Sequence, residues 1–152
     1  MGSNQVPDAI HQKLVLNTAL TEVSRAEQAV LEAAEQCGYD GSERFAVKLA
    51  IEEALANAIK HGNACDPAKR VILEFSITGD ELRISVCDEG PGFNPCCIPD
   101  PTLDENLEKP SGRGVMLMRT YMNEVFFNQS GNCVTMIKRR ARKPEKKANG
   151  SR

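Results

Sequence analysis

Apolar and polar positions change period several times along the chain, and each change marks an element. Residues 13–16 (Lys-Leu-Val-Leu) read as a short strand. From Asn17 to Cys37 the chain is rich in Ala, Glu, Leu and Gln. Leu20, Val23, Ala26, Ala29, Val30, Ala33 and Ala34 form one apolar face, and Gly38 stands as a C-terminal stop, so a first helix is expected. Ser42 is read as the N-cap of a second helix that runs to about His61 and is ended by Gly62. Within it Val47, Ile51, Ala54, Leu55 and Ala58 make a core stripe.

The period then drops to two. Val71, Leu73, Phe75 and Ile77 alternate with polar positions, Gly79-Asp80 turns the chain, and Leu82, Ile84 and Val86 repeat the alternation. This predicts a β-hairpin with one buried face. Residues 94–111 carry prolines 95, 99, 101 and 110 and little periodicity, and read as a long loop of the kind that serves as a lid. A third helix is expected from about Arg113 to Asn123. A closing strand pair follows, Glu124–Gln129 and Cys133–Lys138, turned by Ser130-Gly131-Asn132. The order β-α-α-β-β-lid-α-β-β predicts an α+β two-layer sandwich, with a mixed, mainly antiparallel sheet and helices on one face. The expected organisation is an N-terminal extension over 1–12, one domain over 13–140, and a tail over 141–152.

With 152 residues and 41% hydrophobic content the chain suits one globular domain, and no apolar run reaches the length of a membrane span. No secretion signal is visible at the N-terminus. The net charge of −2 hides a split. Residues 138–152 hold eight Lys/Arg against Glu145, a net of +7, which leaves the other 137 residues at −9. The basic tail lacks aromatic interleaving, so direct nucleic-acid binding is not expected. Six cysteines (37, 65, 87, 96, 97, 133) show no C-x-x-C and no Cys/His cluster, which argues against zinc. They are expected to be reduced thiols in a cytoplasmic protein, with Cys87 and Cys133 as small buried hydrophobes.

Three segments carry candidate chemistry. On the second helix Glu53, Asn57 and His61 share one stripe; a carboxylate there suits a general base and an amide oxygen suits Mg²⁺. Asp88-Glu89-Gly90-Pro91-Gly92 follows the hairpin's second strand, placing a hydrogen-bond acceptor and permissive glycines at a strand end. Ser111-Gly112-Arg113-Gly114-Val115 opens the third helix, where free N–H groups and the helix dipole favour an anion. No G-K-[ST] follows, so it is not a P-loop.

In combination and order these segments resemble the GHKL (Bergerat-fold) ATP-binding superfamily. The closer resemblance is to its small branch of bacterial anti-sigma factors with serine/threonine kinase activity. The resemblance covers roughly residues 13–140. It implies that Glu53 activates the attacking hydroxyl and that Asn57 coordinates Mg²⁺ between the phosphates of ATP, with His61-Gly62 completing that motif. It implies that Asp88 reads the adenine amino group, Gly90 and Gly92 shape that pocket, and Gly112, Arg113, Gly114 and Val115 hold the phosphates at the end of a lid over 94–111. Where many relatives begin the last strand with Gly-Thr-Thr, this chain has Gly131-Asn132-Cys133. The implied function is phosphorylation of a STAS-domain anti-anti-sigma antagonist and sequestration of a sigma factor by a homodimer. The alternative is a non-catalytic ATP-binding switch for a protein partner. A histidine kinase half is disfavoured, because the chain has no room for a dimerisation helix pair.

Overall fold

A computed structural model describes residues 9–91 and 112–140, excluding the side chains of residues 112 and 113. The expected lid, Gly92, and the segments 1–8 and 141–152 lie outside the described residues.

The elements run β1 (Ala9–Asn17), α1 (Glu22–Gln36), α2 (Gly41–Ala56), a π-helical turn (Asn57–Gly62), β2 (Arg70–Thr78), β3 (Glu81–Cys87), α3 (Gly112–Tyr121), β4 (Glu124–Phe127) and β5 (Cys133–Arg139). The strands form one sheet in the order β1-β2-β3-β5-β4, and every pairing is antiparallel. The hydrophobic face expected of the hairpin is buried: Val71, Leu73, Phe75, Ile77, Leu82, Ile84 and Val86 join the α2 stripe of Val47, Ile51, Ala54, Leu55 and Ala58 in a single core. Each Val, Leu, Ile or Phe side chain among them, fully buried, stabilises the fold by roughly 1.5–3 kcal/mol before entropy is counted.

Several boundaries differ from expectation, each for a local reason. β1 begins at Ala9, because its whole length finds partners on β2, from Ala9 opposite Thr78 to Asn17 opposite Arg70. α1 begins at Glu22, and residues 18–21 form turns, which leaves Leu20 half-exposed rather than on the helix face. The N-cap of α2 is Asp40, not Ser42. Asp40 Oδ1 accepts from the Glu43 N–H at 2.7 Å, and the Asp40 N–H donates to Glu43 Oε1 at 2.9 Å, a capping box. Gly38 does end α1, in the left-handed region at φ 92°.

The second helix does not continue as α-helix to His61. From Asn57 it widens into the π turn, and the Asn63 N–H donates to the Ala58 carbonyl at 2.8 Å. Nor does Gly62 supply the exit. Ala64 and Cys65 take positive φ values, 51° and 58°, and turn the chain toward β2. A π turn followed by two left-handed non-glycine residues is a costly local conformation, held here by surrounding contacts.

Cys87 and Cys133 are not buried thiols. They face each other across β3 and β5 with Cα atoms 4.0 Å apart and are joined by a disulfide. Alternation explains it. Val86 and Val134 point into the core, so their neighbours point to the open face of the sheet, where both cysteines are half-buried. Cys37 is buried and free, and Cys65 is exposed and free.

Candidate nucleotide-binding site

A cleft opens between the α2–π segment and the ends of β3 and β5. Ala54, Ala58, Val86, Val134 and Met118 give it apolar walls, and Asn57, His61 and Asp88 bring polar groups to its rim. An apolar slot with a few convergent polar groups suits a flat heterocycle.

Asp88 directly follows β3 and lines the cleft beside Gly62. Its N–H donates to the Asn132 carbonyl at 2.8 Å, and its Oδ1 accepts from the Gly90 N–H at 2.8 Å. Burial raises its carboxyl above the usual aspartate range, against the opposing pull of that N–H and of Lys69. The two glycines beside it are required by contact. A methyl group on Gly62 would collide with the Asp88 carboxylate, and one on Gly90 would collide with the Gly62 carbonyl. Gly62 therefore serves the site by letting the π turn lie against Asp88.

Glu53 and Asn57 stand one helical turn apart at the other end, beneath the start of α3. A methyl group on Gly114 would lie 2.9 Å from Glu53 Oε1 and 3.2 Å from Asn57 Nδ2. A side chain at this position would have to push the Glu53 and Asn57 side-chain ends aside, and glycine lets α3 begin against this pair without displacing them. The positive end of the α3 dipole thereby comes to the Glu53–Asn57 end of the cleft. Val115, the next residue of α3, has its side chain buried in the core. Gly112 belongs to the first turn of α3, with Arg113 next to it. His61 is half-buried on the cleft, and burial, with the nearby Lys60 charge, lowers its pKa.

Asn63 carries a structural task that its position in the sequence does not announce. It is fully buried; Nδ2 donates to Thr18 Oγ1 at 2.9 Å and to the Arg70 carbonyl at 3.0 Å, while Oδ1 accepts from the Glu89 N–H at 2.7 Å. The amide ties the ends of β1 and β2 to the turn that carries Asp88. Asn128 does the same for the opposite wall: its Oδ1 accepts from the N–H groups of Gly131, Asn132 and Cys133 at 2.8–3.1 Å. An Asn directly after a helix-ending His-Gly, and another opening a Gly turn, were the available signals.

With this geometry in place, the comparisons with known proteins decide the family. The model of the histidine kinase-like ATPase domain matches residues 16–138. The chain belongs to that family. Among relatives of this ATPase domain, the anti-sigma F factor of Clostridium perfringens strain SM101 is 39% identical over 94 residues, 60% of this chain and 66% of that protein. The serine-protein kinase RsbW of Bacillus subtilis is 34% identical over 114 residues, 69% of this chain and 70% of that protein. The chain thus spans slightly less than two thirds of the first of these relatives. A structure of the RsbU and RsbW domains of a Mycobacterium tuberculosis protein superposes with a TM-score of 0.59 over 86% of this chain and 32% of that one, at 18% identity. That likeness concerns the fold. Among the described residues no helix is long and apolar enough to cross a membrane.

Proposed function

We propose that this chain is an ATP-dependent serine/threonine protein kinase of the anti-sigma type, which phosphorylates a STAS-domain antagonist and sequesters a sigma factor as a cytoplasmic homodimer. The observation that carries the reading is the placement of Glu53 and Asn57 directly under the Gly114 start of α3, at the opposite end of an apolar cleft from Asp88. One end offers an acceptor for an exocyclic amine and the other offers a base, an amide oxygen and a helix N-terminus for phosphates.

In this reading the adenine ring lies between the walls at Val86, Val134 and Met118, and its amino group donates to Asp88. The N–H groups opening α3, with Gly112, Arg113 and Gly114, hold the phosphates. Glu53 takes the proton from the attacking serine hydroxyl. The Asn57 carboxamide oxygen fits Mg²⁺: it is a hard donor beside the phosphate end, and Mg²⁺ takes few protein ligands when phosphates and water supply the rest. Among the described residues no group of three His, Cys, Asp or Glu forms a separate metal cage. When bound, the ion neutralises phosphate charge; the protein's own share of catalysis is positioning and proton removal. Gly62 keeps the π turn against Asp88 with His61 beside it, and Gly90 lets the turn beyond Asp88 pass close to the Gly62 carbonyl.

For the protein partner, Phe45 at the start of α2 is 56% exposed and borders a groove with Thr120 and Tyr121 of α3. Met116 on α3 is 57% exposed. Apolar side chains of this size on the surface, Met116 near the start of α3 and Phe45 by its far end, suit a docking protein.

The test is incubation of the full chain with ATP, Mg²⁺ and a STAS-domain protein from the same source. ADP and a phosphoserine on the STAS protein are expected. Nucleotide binding without any phosphoprotein would instead support the non-catalytic switch.

A further inference from the structure

The Cys87–Cys133 pair lies where the base end of the cleft is built. Cys87 immediately precedes Asp88, and Cys133 immediately follows Asn132, whose carbonyl accepts the Asp88 N–H. Cys133, Asn132 and Gly131 themselves line the cleft. The Asp88–Asn132 hydrogen bond marks the adjacent Cys87–Cys133 position as a non-hydrogen-bonded rung, where side chains of antiparallel strands approach most closely. Both cysteines are half-buried on the open face, so solutes reach them without unfolding the core.

We propose that Cys87 and Cys133 form a reversible redox modification site whose oxidation by a low-molecular-weight disulfide sets the affinity of the neighbouring nucleotide pocket. The coupling to nucleotide rests on the binding reading given above. One cysteine thiolate attacks a sulfur of the small disulfide, breaks its S–S bond and releases one small thiolate, leaving a mixed disulfide. The second cysteine thiolate then displaces the other small thiolate and forms the Cys87–Cys133 bond. The two cysteines are oxidised, the small disulfide gains their two electrons, and the two thiol protons end on the two released thiols. A small-molecule thiol reverses both steps.

The bridge acts on binding through preorganisation. Closed, it fixes the strand ends that set Asp88 against Asn132 and anchor the Asn128-organised turn. Open, the segments beyond Val86 and before Val134 keep the Asp88–Asn132 hydrogen bond but lose their covalent tie, and a ligand must order them further. The oxidised form is therefore the tighter binder. By linkage, bound nucleotide makes the bridge harder to reduce by the same factor.

The experiment equilibrates the full chain in oxidised and reduced glutathione buffers. It maps the bridge by alkylation and peptide mass, and it titrates each form with ATP and Mg²⁺. The bridge is expected at Cys87–Cys133, with ATP bound at least about fivefold more tightly by the oxidised form. Saturating ATP should lower the midpoint potential of the pair by about 21 mV, the equivalent of fivefold for a two-electron couple. Cys87→Ser, which cannot close the bridge, should lose the difference between buffers and bind with the reduced protein's affinity. A bridge that maps elsewhere, for example to Cys96 or Cys97, overturns the proposal. So do equal affinities in both forms, which leave the nucleotide reading intact, and a redox dependence that survives Cys87→Ser. Absence of ATP binding in both forms rejects the nucleotide reading, and the coupling with it.

Discussion

Asp88 has to be both buried enough to exclude water from a base and charged enough to accept its amine. Burial works against the charge and raises its pKa, so adenine binding should weaken, as pH falls, at a higher pH than an ordinary aspartate would give. Asp88→Asn should lower ATP affinity by about 10- to 100-fold, the worth of one charge-assisted hydrogen bond, and should flatten that acid limb; calorimetric titration across pH checks both. Gly62→Ala places a methyl group into the Asp88 carboxylate and should also cost ATP affinity while Glu53 and Asn57 stay untouched. Binding by this variant at the wild-type level would show that the π turn need not approach Asp88. At this scale the sequence was partly legible. Glu53, Asn57 and Asp88 stood out because polar groups interrupt apolar patterns. Asn63 did not, because its three partners, Thr18, Arg70 and Glu89, come from three separate segments. That each cysteine faces out was readable from alternation, since Val86 and Val134 face inward; that they face each other depends on the pairing of β3 with β5. Treating both as buried hydrophobes missed that parity.

Among the elements, the strands and the α2 stripe followed directly from periodicity, since burial on one face is what periodicity records. The π turn did not, because the sequence from Asn57 to Gly62 is as suitable for an α-helix, and the close approach of Gly62 to Asp88 is a tertiary contact between separate segments. The α1–α2 packing holds a pH-sensitive pair. Burial, with the Glu52 carboxylate beside it, pushes the Glu27 carboxyl from 4.5 up to about 7, and one of its oxygens is buried with no hydrogen-bond partner. The folded chain thus keeps a proton there that the unfolded chain releases. Stability should therefore fall as pH rises from about 4.5 to about 7, with the penalty complete above that window. Glu27→Gln removes the ionisation and should flatten the decline. Thermal melts at about pH 5 and about pH 8 measure this, the variant gaining relative to wild type only at the higher value. A wild-type melting temperature that rises over this interval by the same amount in both proteins would contradict the assignment.

For the whole molecule, the division between acidic body and basic tail is less sharp than the charge count suggests. Lys138, Arg139 and Arg140, three of the eight basic residues in the C-terminal stretch, belong to the folded domain. The Lys138 ammonium donates to the Tyr121 carbonyl at 3.1 Å, Arg139 pairs with Glu124, and Arg140 lies over the Tyr39 ring at 5.7 Å. Residues 141–152 then hold five Lys/Arg against Glu145, a net of +4. At physiological salt such a segment acts weakly beyond about 8 Å. Truncation after Arg140 should therefore leave ATP affinity within about twofold; a larger loss would place part of the tail at the phosphates. The same acidic body means that phosphate binding cannot rest on the overall field and must come from local groups at the α3 start. The kinase reading concentrates on one of these neighbours, Glu53, and it is tested most directly by following γ-phosphate transfer to a STAS-domain protein with Glu53→Ala at saturating ATP. Loss of the removed base predicts a rate lower by about 10²- to 10⁴-fold with ATP affinity retained. Transfer by Glu53→Ala at the wild-type rate would contradict the account.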